Sequence, residues 1–181
     1  MTNPELQATP ERVVLKSDND TVQLMQLVPQ DADDYYFVLI AQDPAHLRQH
    51  GDETADKYPT PDAVRDSIVH PKNPAKYRFG IWDNGVMVGS NNLTPEDNGR
   101  AELGSWVGKE HIGQGYAGRA RALLVDFAFN RLGFDEVYCD IVVGNEPSKR
   151  SVEKSGFALT GDFVDDEGVH KWRYVLRRQS Q

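Results

Sequence analysis

The sequence predicts an α/β (α+β) fold in which a central mixed, mostly antiparallel sheet of six to seven strands is flanked by helices in three layers. Three observations predict it. Residues 77–82, 86–93 and 101–107 alternate apolar and polar side chains with the period of two expected of strands that put one face on a core. Residues 116–132 carry Ala120, Leu123, Leu124, Phe127 and Ala128 at the spacing of one apolar helical stripe. The run 101–107, this helix and the apolar run 136–143 form a strand, helix, strand unit, which closes as a right-handed crossover with its two strands parallel.

Taken in order, residues 22–28 (VQLMQLV) alternate as a strand and Pro29 closes it. Residues 31–41 place Ala32, Tyr35, Tyr36, Leu39 and Ile40 at helical spacing. Residues 41–61 are polar, with Pro44, Gly51, Pro59 and Pro61, and read as a loop around a short helix. Residues 62–69 form a helix stopped by Pro71. The three alternating strands that follow are joined by Asp83-Asn84-Gly85 and by residues 94–99, both strong hairpin punctuation. Gly133 ends the long helix, and a strand at 136–143 follows it. Residues 147–155 make a short helix ended by Gly156, and residues 157–164 with 169–176 a last hairpin.

The 181 residues, 39% hydrophobic and 27% charged, read as a single domain, 1–181, with poorly ordered ends at 1–10 and 177–181. A formal charge of −8 argues against a partner that is nucleic acid or an anionic membrane surface. The one cysteine, Cys139, excludes an internal disulfide and a multi-cysteine metal site. The five histidines have no metal-ligand spacing, so no metal is expected. No apolar run reaches the roughly 20 residues of a bilayer span, and the start has no signal-peptide layout, so a cytoplasmic location is expected.

Two segments could carry chemistry. Gly113, Gly115 and Gly118, with Gln114, Tyr116, Ala117 and Arg119, lie between a strand and the long helix. Glycines there let main chain approach a ligand, and successive N–H groups at a helix start attract an anion such as a phosphate. A glycine-rich turn with no ligand fits the same residues. The preceding hairpins are not those of a dinucleotide fold, and no Gly-Lys-Ser/Thr marks a nucleotide triphosphate loop. In the second segment, residues 145–157, Asn145 is placed to cap a helix, with Pro147 in its first turn and Ser148 three residues on.

Gln114-Gly115-Tyr116-Ala117-Gly118-Arg119 at a helix start, followed about thirty residues later by Asn145, Ser148, Glu153-Lys154 and Gly156-Phe157, resembles the GNAT superfamily of acyl-CoA N-acyltransferases. Within it, the pairing is similar to ribosomal-protein N-acetyltransferases of the RimJ/RimL type. Residues 101–107 (AELGSWV) are similar to the strand that precedes the pyrophosphate loop there. The superfamily pattern opens with Gln or Arg where this chain has Ile112, and it more often has Thr and Glu where this chain has Gly118 and Arg119.

The resemblance implies an acetyl-CoA-dependent N-acetyltransferase acting on a protein N-terminus or a small amine, as monomer or homodimer, with coenzyme A as its only cofactor; the alternatives are a catalytically silent acyl-CoA-binding regulatory module and an acetyltransferase that detoxifies an aminated antibiotic or metabolite. It implies that the strands ending near Val107 and Val143 splay apart to bind the pantetheine arm, with Trp106 and Val107 beside it and the Val107 region offering an amide to the thioester carbonyl. Residues Gly113 to Arg119 would cradle the pyrophosphate, Asn145 would bond the pantetheine, and Ser148 would reach the sulfur as acid. A cap alone would equally explain Ser148, and core packing would explain Tyr116. For the base, period-two alternation puts Glu102 on one strand face with Gly104 and Trp106. A solvated surface carboxylate is the competing reading. Cys139, among apolar strand neighbours, is expected to be an inert core thiol, so transfer is direct. The acids Asp31, Asp33, Asp34, Asp43, Asp52, Glu53, Asp56, Asp62 and Asp66 would favour a cationic acceptor, or serve only solubility and capping.

Overall fold

The computed structural model describes residues 12–42, 44–49 and 54–179, so the expected disorder at 1–10 lies outside the described residues. The strands are β1 (Val14–Lys16), β2 (Val22–Gln26), β3 (Tyr77–Asp83), β4 (Val86–Pro95), β5 (Arg100–Val107), β6 (Glu136–Val142), β7 (Ala158–Val164) and β8 (His170–Arg177). They form one eight-stranded sheet in the order β1-β2-β3-β4-β5-β6-β8-β7. Every neighbouring pair is antiparallel except β5 and β6, which are parallel as the crossover requires. The sheet therefore has eight strands where six to seven were expected. The extra one, β1, is three residues long, too short for a period of two to be visible.

The helices are α1 (Ala32–Tyr35), continued by a wider π-wound stretch Tyr36–Ala41, α2 (Pro44–Gln49), α3 (Thr54–Lys57), α4 (Pro61–Val69), α5 (Tyr116–Asp126), continued by π-wound Phe127–Arg131, and α6 (Glu146–Lys154). The 3.6-residue stripe locates both long helices but cannot show where the winding loosens, because the apolar residues stay on one side through the change. Thr60 caps α4 by accepting the Ala63 N–H at 3.2 Å.

Two apolar clusters make the layers. On one face of the sheet Phe79, Ile81, Leu93, Leu103, Val137 and Tyr174 pack with Ala120, Leu124 and Phe127 of the α5 segment and Val152 of α6. On the other, Trp82 and Met87 pack with Tyr35, Leu39, Ile40, Leu47 and Val64. Burying such side chains contributes roughly 1.5–3 kcal/mol each. The tail expected to be loose at 177–181 is held in part. Arg177 ends β8 and pairs with Glu136 at 2.9 Å, and the Arg178 N–H donates to the Asp135 carbonyl at 2.8 Å.

Candidate active site

Strands β5 and β6 share only three residue pairs, Arg100↔Glu136, Ala101↔Val137 and Glu102↔Tyr138. Beyond Glu102, β5 stays with β4 as far as Val107, while β6 stays with β8 as far as Val142. The hydrogen bonds from Gly108 N–H to Val88 O and from Glu96 N–H to Arg100 O, each 2.9 Å, fix the phase of the β4–β5 ladder. In an antiparallel ladder alternate residues point their main-chain groups away from the partner, so Leu103, whose N–H closes the last pair with Tyr138, presents its carbonyl to the gap, and Ser105 and Val107 present both groups. The bond from Val143 N–H to His170 O at 2.9 Å sets β6 likewise, and Asp140 and Val142 face the gap from the other side. Main-chain groups left open in this way can pair with an extended, amide-bearing chain lying between the strands.

The end of β5 leads through a tight turn, Lys109–His111, to Gly113 (φ +81°) and Gly115 (φ +80°). Both sit in the left-handed region that glycine adopts without penalty, which folds the loop back into the start of α5. The first hydrogen bond of the helix runs from Arg119 N–H to Gly115 O at 3.2 Å, leaving the N–H groups of Tyr116, Ala117 and Gly118 ahead of the ladder. A Cβ built on Gly113, Gly115 or Gly118 would meet no heavy atom of the described residues within 4 Å. The loop is thus an open cradle of N–H groups at the positive end of a helix.

Two side chains of the motif are turned to other work. Tyr116 is buried in the α5-side core and its hydroxyl donates to Asp83 at 2.8 Å, beside the Thr21 hydroxyl on the same carboxylate. Those two bonds, Thr21 first, hold the Asp83 carboxyl below its usual range. Arg119 pairs through Nη1 with Asp20 at 3.0 Å, lies 4.7 Å over the Tyr116 ring and donates from Nη2 to the Gln114 carbonyl of the glycine loop at 3.4 Å, so its charge is shared between Asp20 and the loop. Gln114 is exposed, with Nε2 donating to the Glu110 carbonyl at 3.0 Å.

Across the gap, Asn145 caps α6: its Oδ1 accepts the Ser148 N–H at 3.2 Å, which leaves Nδ2 to meet a ligand. Ser148 is half-buried, and its hydroxyl makes no hydrogen bond with the described residues. A residue that the sequence did not single out ties the two helices together. Arg121 of α5 is 4% exposed and donates to Ser151 O at 3.0 Å, Ser151 Oγ at 3.2 Å and Ser155 Oγ at 2.8 Å. It reads as a surface cation in sequence, because only the packing of α6 against α5 covers it.

Glu102 is flanked by Thr94 on β4 and Tyr138 on β6, at the point where the strands part. It is open to solvent yet stands mid-sheet, where surrounding protein displaces water; that desolvation first, and the charge of Asp140 second, raise its pKa. Trp106 shares its face but spends its main-chain groups on Ser90, and its half-buried ring packs on the second cluster. Tyr138 and Asp140 neighbour Glu102, Arg173 grips Asp140 from β8, and all three were missed in sequence. The alternation Glu136, Tyr138, Asp140 along an otherwise apolar strand was the available signal.

Cys139 is buried in the first cluster, and burial pushes its thiol up to about 12, so it holds no thiolate at neutral pH. Several acids of the 31–66 stretch are already paired: Asp31 with Arg12, Asp33 and Asp62 with Arg65, and Asp56 with Arg48. Asp43, Asp52 and Glu53 lie outside the described residues.

Residues 21–158 match the family model of the acetyltransferase (GNAT) domain. The chain belongs to the GNAT family. Its relatives include the uncharacterized N-acetyltransferase p20 of Bacillus licheniformis, 32% identical over 76 residues, covering 42% of this chain and 43% of p20. They also include YdaF of Bacillus subtilis strain 168, provisionally named a ribosomal N-acetyltransferase, 36% identical over 96 residues, covering 50% of this chain and 52% of YdaF. The chain thus spans about half the length of these two relatives. Among solved structures, the GNAT fold here matches RimL, a ribosomal L7/L12 α-N-protein acetyltransferase in complex with coenzyme A. The TM-score is 0.81 at 15% identity, over 91% of this chain and 98% of RimL. No helix among the described residues is long and apolar enough to cross a membrane.

Proposed function

We propose that this chain is an acetyl-CoA-dependent N-acetyltransferase that moves an acetyl group directly to a primary amine, either a protein N-terminus or a small amine. One observation carries the reading. The glycine cradle at the start of α5 and the unpaired main-chain edges of β5 and β6 are the two halves of a site for a diphosphate with an amide-bearing arm, and Glu102 stands at the closed end of the same gap. The residues present fit coenzyme A: open space at three glycines, free helix N–H groups, and peptide-like donors and acceptors in the gap.

In this reading the main chain of Gly113 to Gly118 holds the diphosphate, while Leu103, Ser105 and Val107 hold the arm from one side. Asp140, Val142 and the Asn145 Nδ2 hold it from the other. Bound acetyl-CoA supplies an acyl carbon activated by a good thiolate leaving group. The Val107 N–H donates to the carbonyl oxygen as negative charge builds on it. Glu102, five residues and roughly 16 Å along β5 from Val107, takes a proton from the incoming ammonium through intervening water and frees the nitrogen lone pair that forms the new C–N bond. As the C–S bond breaks, the Ser148 hydroxyl gives its proton to the sulfur, and the proton shed by the new amide nitrogen restores the hydroxyl. No acyl-enzyme is needed, in keeping with the raised Cys139 thiol. A raised carboxylate pKa suits Glu102 to accept a proton near neutral pH.

We further read the chain as a single domain working in the cytoplasm, as monomer or homodimer. Thiol release from acetyl-CoA, measured with a panel of small amines and N-terminal peptides, tests the function. Release with at least one acceptor is the expected result. Tight coenzyme A binding with no release for any acceptor would instead identify an acyl-CoA-binding module without turnover.

A further inference from the structure

The face that carries Glu102 continues across β6 and β8 as a charged, fully partnered patch. Arg173 of β8 donates from Nε to Asp140 Oδ1 at 2.8 Å and from Nη2 to Asp140 Oδ2 at 2.7 Å. Its guanidinium lies 4.5 Å from the centre of the Tyr138 ring, and that of Arg100 lies 4.8 Å from the same ring. The Tyr138 hydroxyl donates to Glu96. Asp140 is the first residue of β6 on this face beyond the last pair shared with β5, and its side chain is only 13% exposed. A two-toothed Arg–carboxylate grip of this kind fixes the carboxylate's position and orientation.

Glu102 is otherwise surrounded by charges committed elsewhere. From β4 comes only the uncharged Thr94. On its own strand, Arg100 pairs with Glu136 at 3.0 Å. On β8, Lys171 pairs with Asp165 at 2.6 Å. Lys76 lies in the turn before β3, and Glu96 receives the Tyr138 hydroxyl. Asp140 is the fixed negative charge that borders Glu102 along the gap itself.

We propose that Asp140, clamped by Arg173, is a positioning residue for the proton-transfer step: a fixed negative charge beside Glu102 that makes Glu102 hold the proton it takes from the acceptor ammonium. This rests on the reading of Glu102 as the base. The water displaced from around Glu102 by the surrounding sheet and the charge of Asp140 act on it in the same direction. The Asp140 side chain donates nothing and touches no reacting atom; it acts through its neighbour at the apex of the gap.

The carboxyl carbon of Glu102, followed by carbon NMR in labelled protein and assigned by its loss in Glu102→Gln, reads the coupling without any acceptor. In Asp140→Asn the titration midpoint of Glu102 moves to lower pH, because the negative charge is gone and Arg173 is left uncompensated. In Arg173→Gln it moves to higher pH, because Asp140 is left bare. Asp140→Glu restores the wild-type midpoint. A midpoint unmoved in Asp140→Asn and Arg173→Gln overturns the proposal, and should one of these fail to fold, the other decides it by its sign. Failure of the underlying reading looks different: the midpoints move as expected, but Glu102→Gln still releases thiol from acetyl-CoA at the wild-type rate with whichever amine of the panel is active.

Discussion

Glu102 and Tyr138 form the last pair across which β5 and β6 are joined, so the carboxylate stands at the apex of the gap between them. A base at the apex would reach the nitrogen attacking a thioester held nearer Val107 through water in the gap. Glu102→Gln is expected to lower the rate of acetyl transfer by roughly 10²–10⁴-fold. Steady-state thiol release checks it.

The same substitution is expected to stabilise the fold at neutral pH. The folded pKa of Glu102 lies above its unfolded value, so the folded state binds the proton more tightly. Wild-type stability therefore falls as pH rises from the ordinary glutamate range through the folded value. Glu102→Gln removes this loss and shows a higher Tm at pH 7, while near pH 3, where both forms are neutral, the two melt together.

Ser148 has a hydroxyl with no hydrogen bond to the described residues and a main-chain N–H already held by Asn145. Ser148→Ala leaves the cap intact, because the cap uses the Ser148 N–H and not its side chain. It is expected to cut kcat at least tenfold with little change in KM for acetyl-CoA. An unchanged kcat would reduce Ser148 to a helix-start residue.

Gly115 and Gly118 separate binding from folding. Gly115 has φ +80°, where any other L residue is strained, and a valine there fills the cradle. Gly115→Val should abolish the heat of coenzyme A binding in calorimetry. Gly118 lies within the first turn of α5, and Gly118→Ala should stabilise the chain by about 0.4–1 kcal/mol in urea unfolding.

Arg121 is expected to matter for stability and for the cofactor together. Arg121→Met leaves the Ser151 carbonyl and two hydroxyls without their shared donor, at a cost of roughly 1–3 kcal/mol. It also loosens α6 against α5, so KM for acetyl-CoA rises with the fall in urea midpoint.

Cys139 should resist thiol reagents in the folded state at pH 8 and react only on unfolding, and Cys139→Ala should keep full turnover. Loss of turnover in a folded Cys139→Ala would point to a covalent route.

The sequence by itself determined the order of elements, the one parallel pair, the glycine turn into α5 and the capped start of α6. Each of these depends on residues close together in the chain: a period of two or 3.6, a glycine where the main chain must turn left-handed, an Asn three residues before the N–H it caps. The tertiary structure decided what distant residues do to one another. That β5 and β6 part after Glu102 depends on β5 following β4 and β6 following β8, a balance between four strands that no local pattern encodes. The same holds for Arg119, whose partner Asp20 lies 99 residues away in the chain. Arg121 reads as a surface cation until α6 covers it, and Asp140 as one polar residue among apolar ones until Arg173 closes on it from β8. Side-chain charge is fixed by composition, but its direction is set by whichever partner the fold brings within about 3 Å, and that is a property of packing.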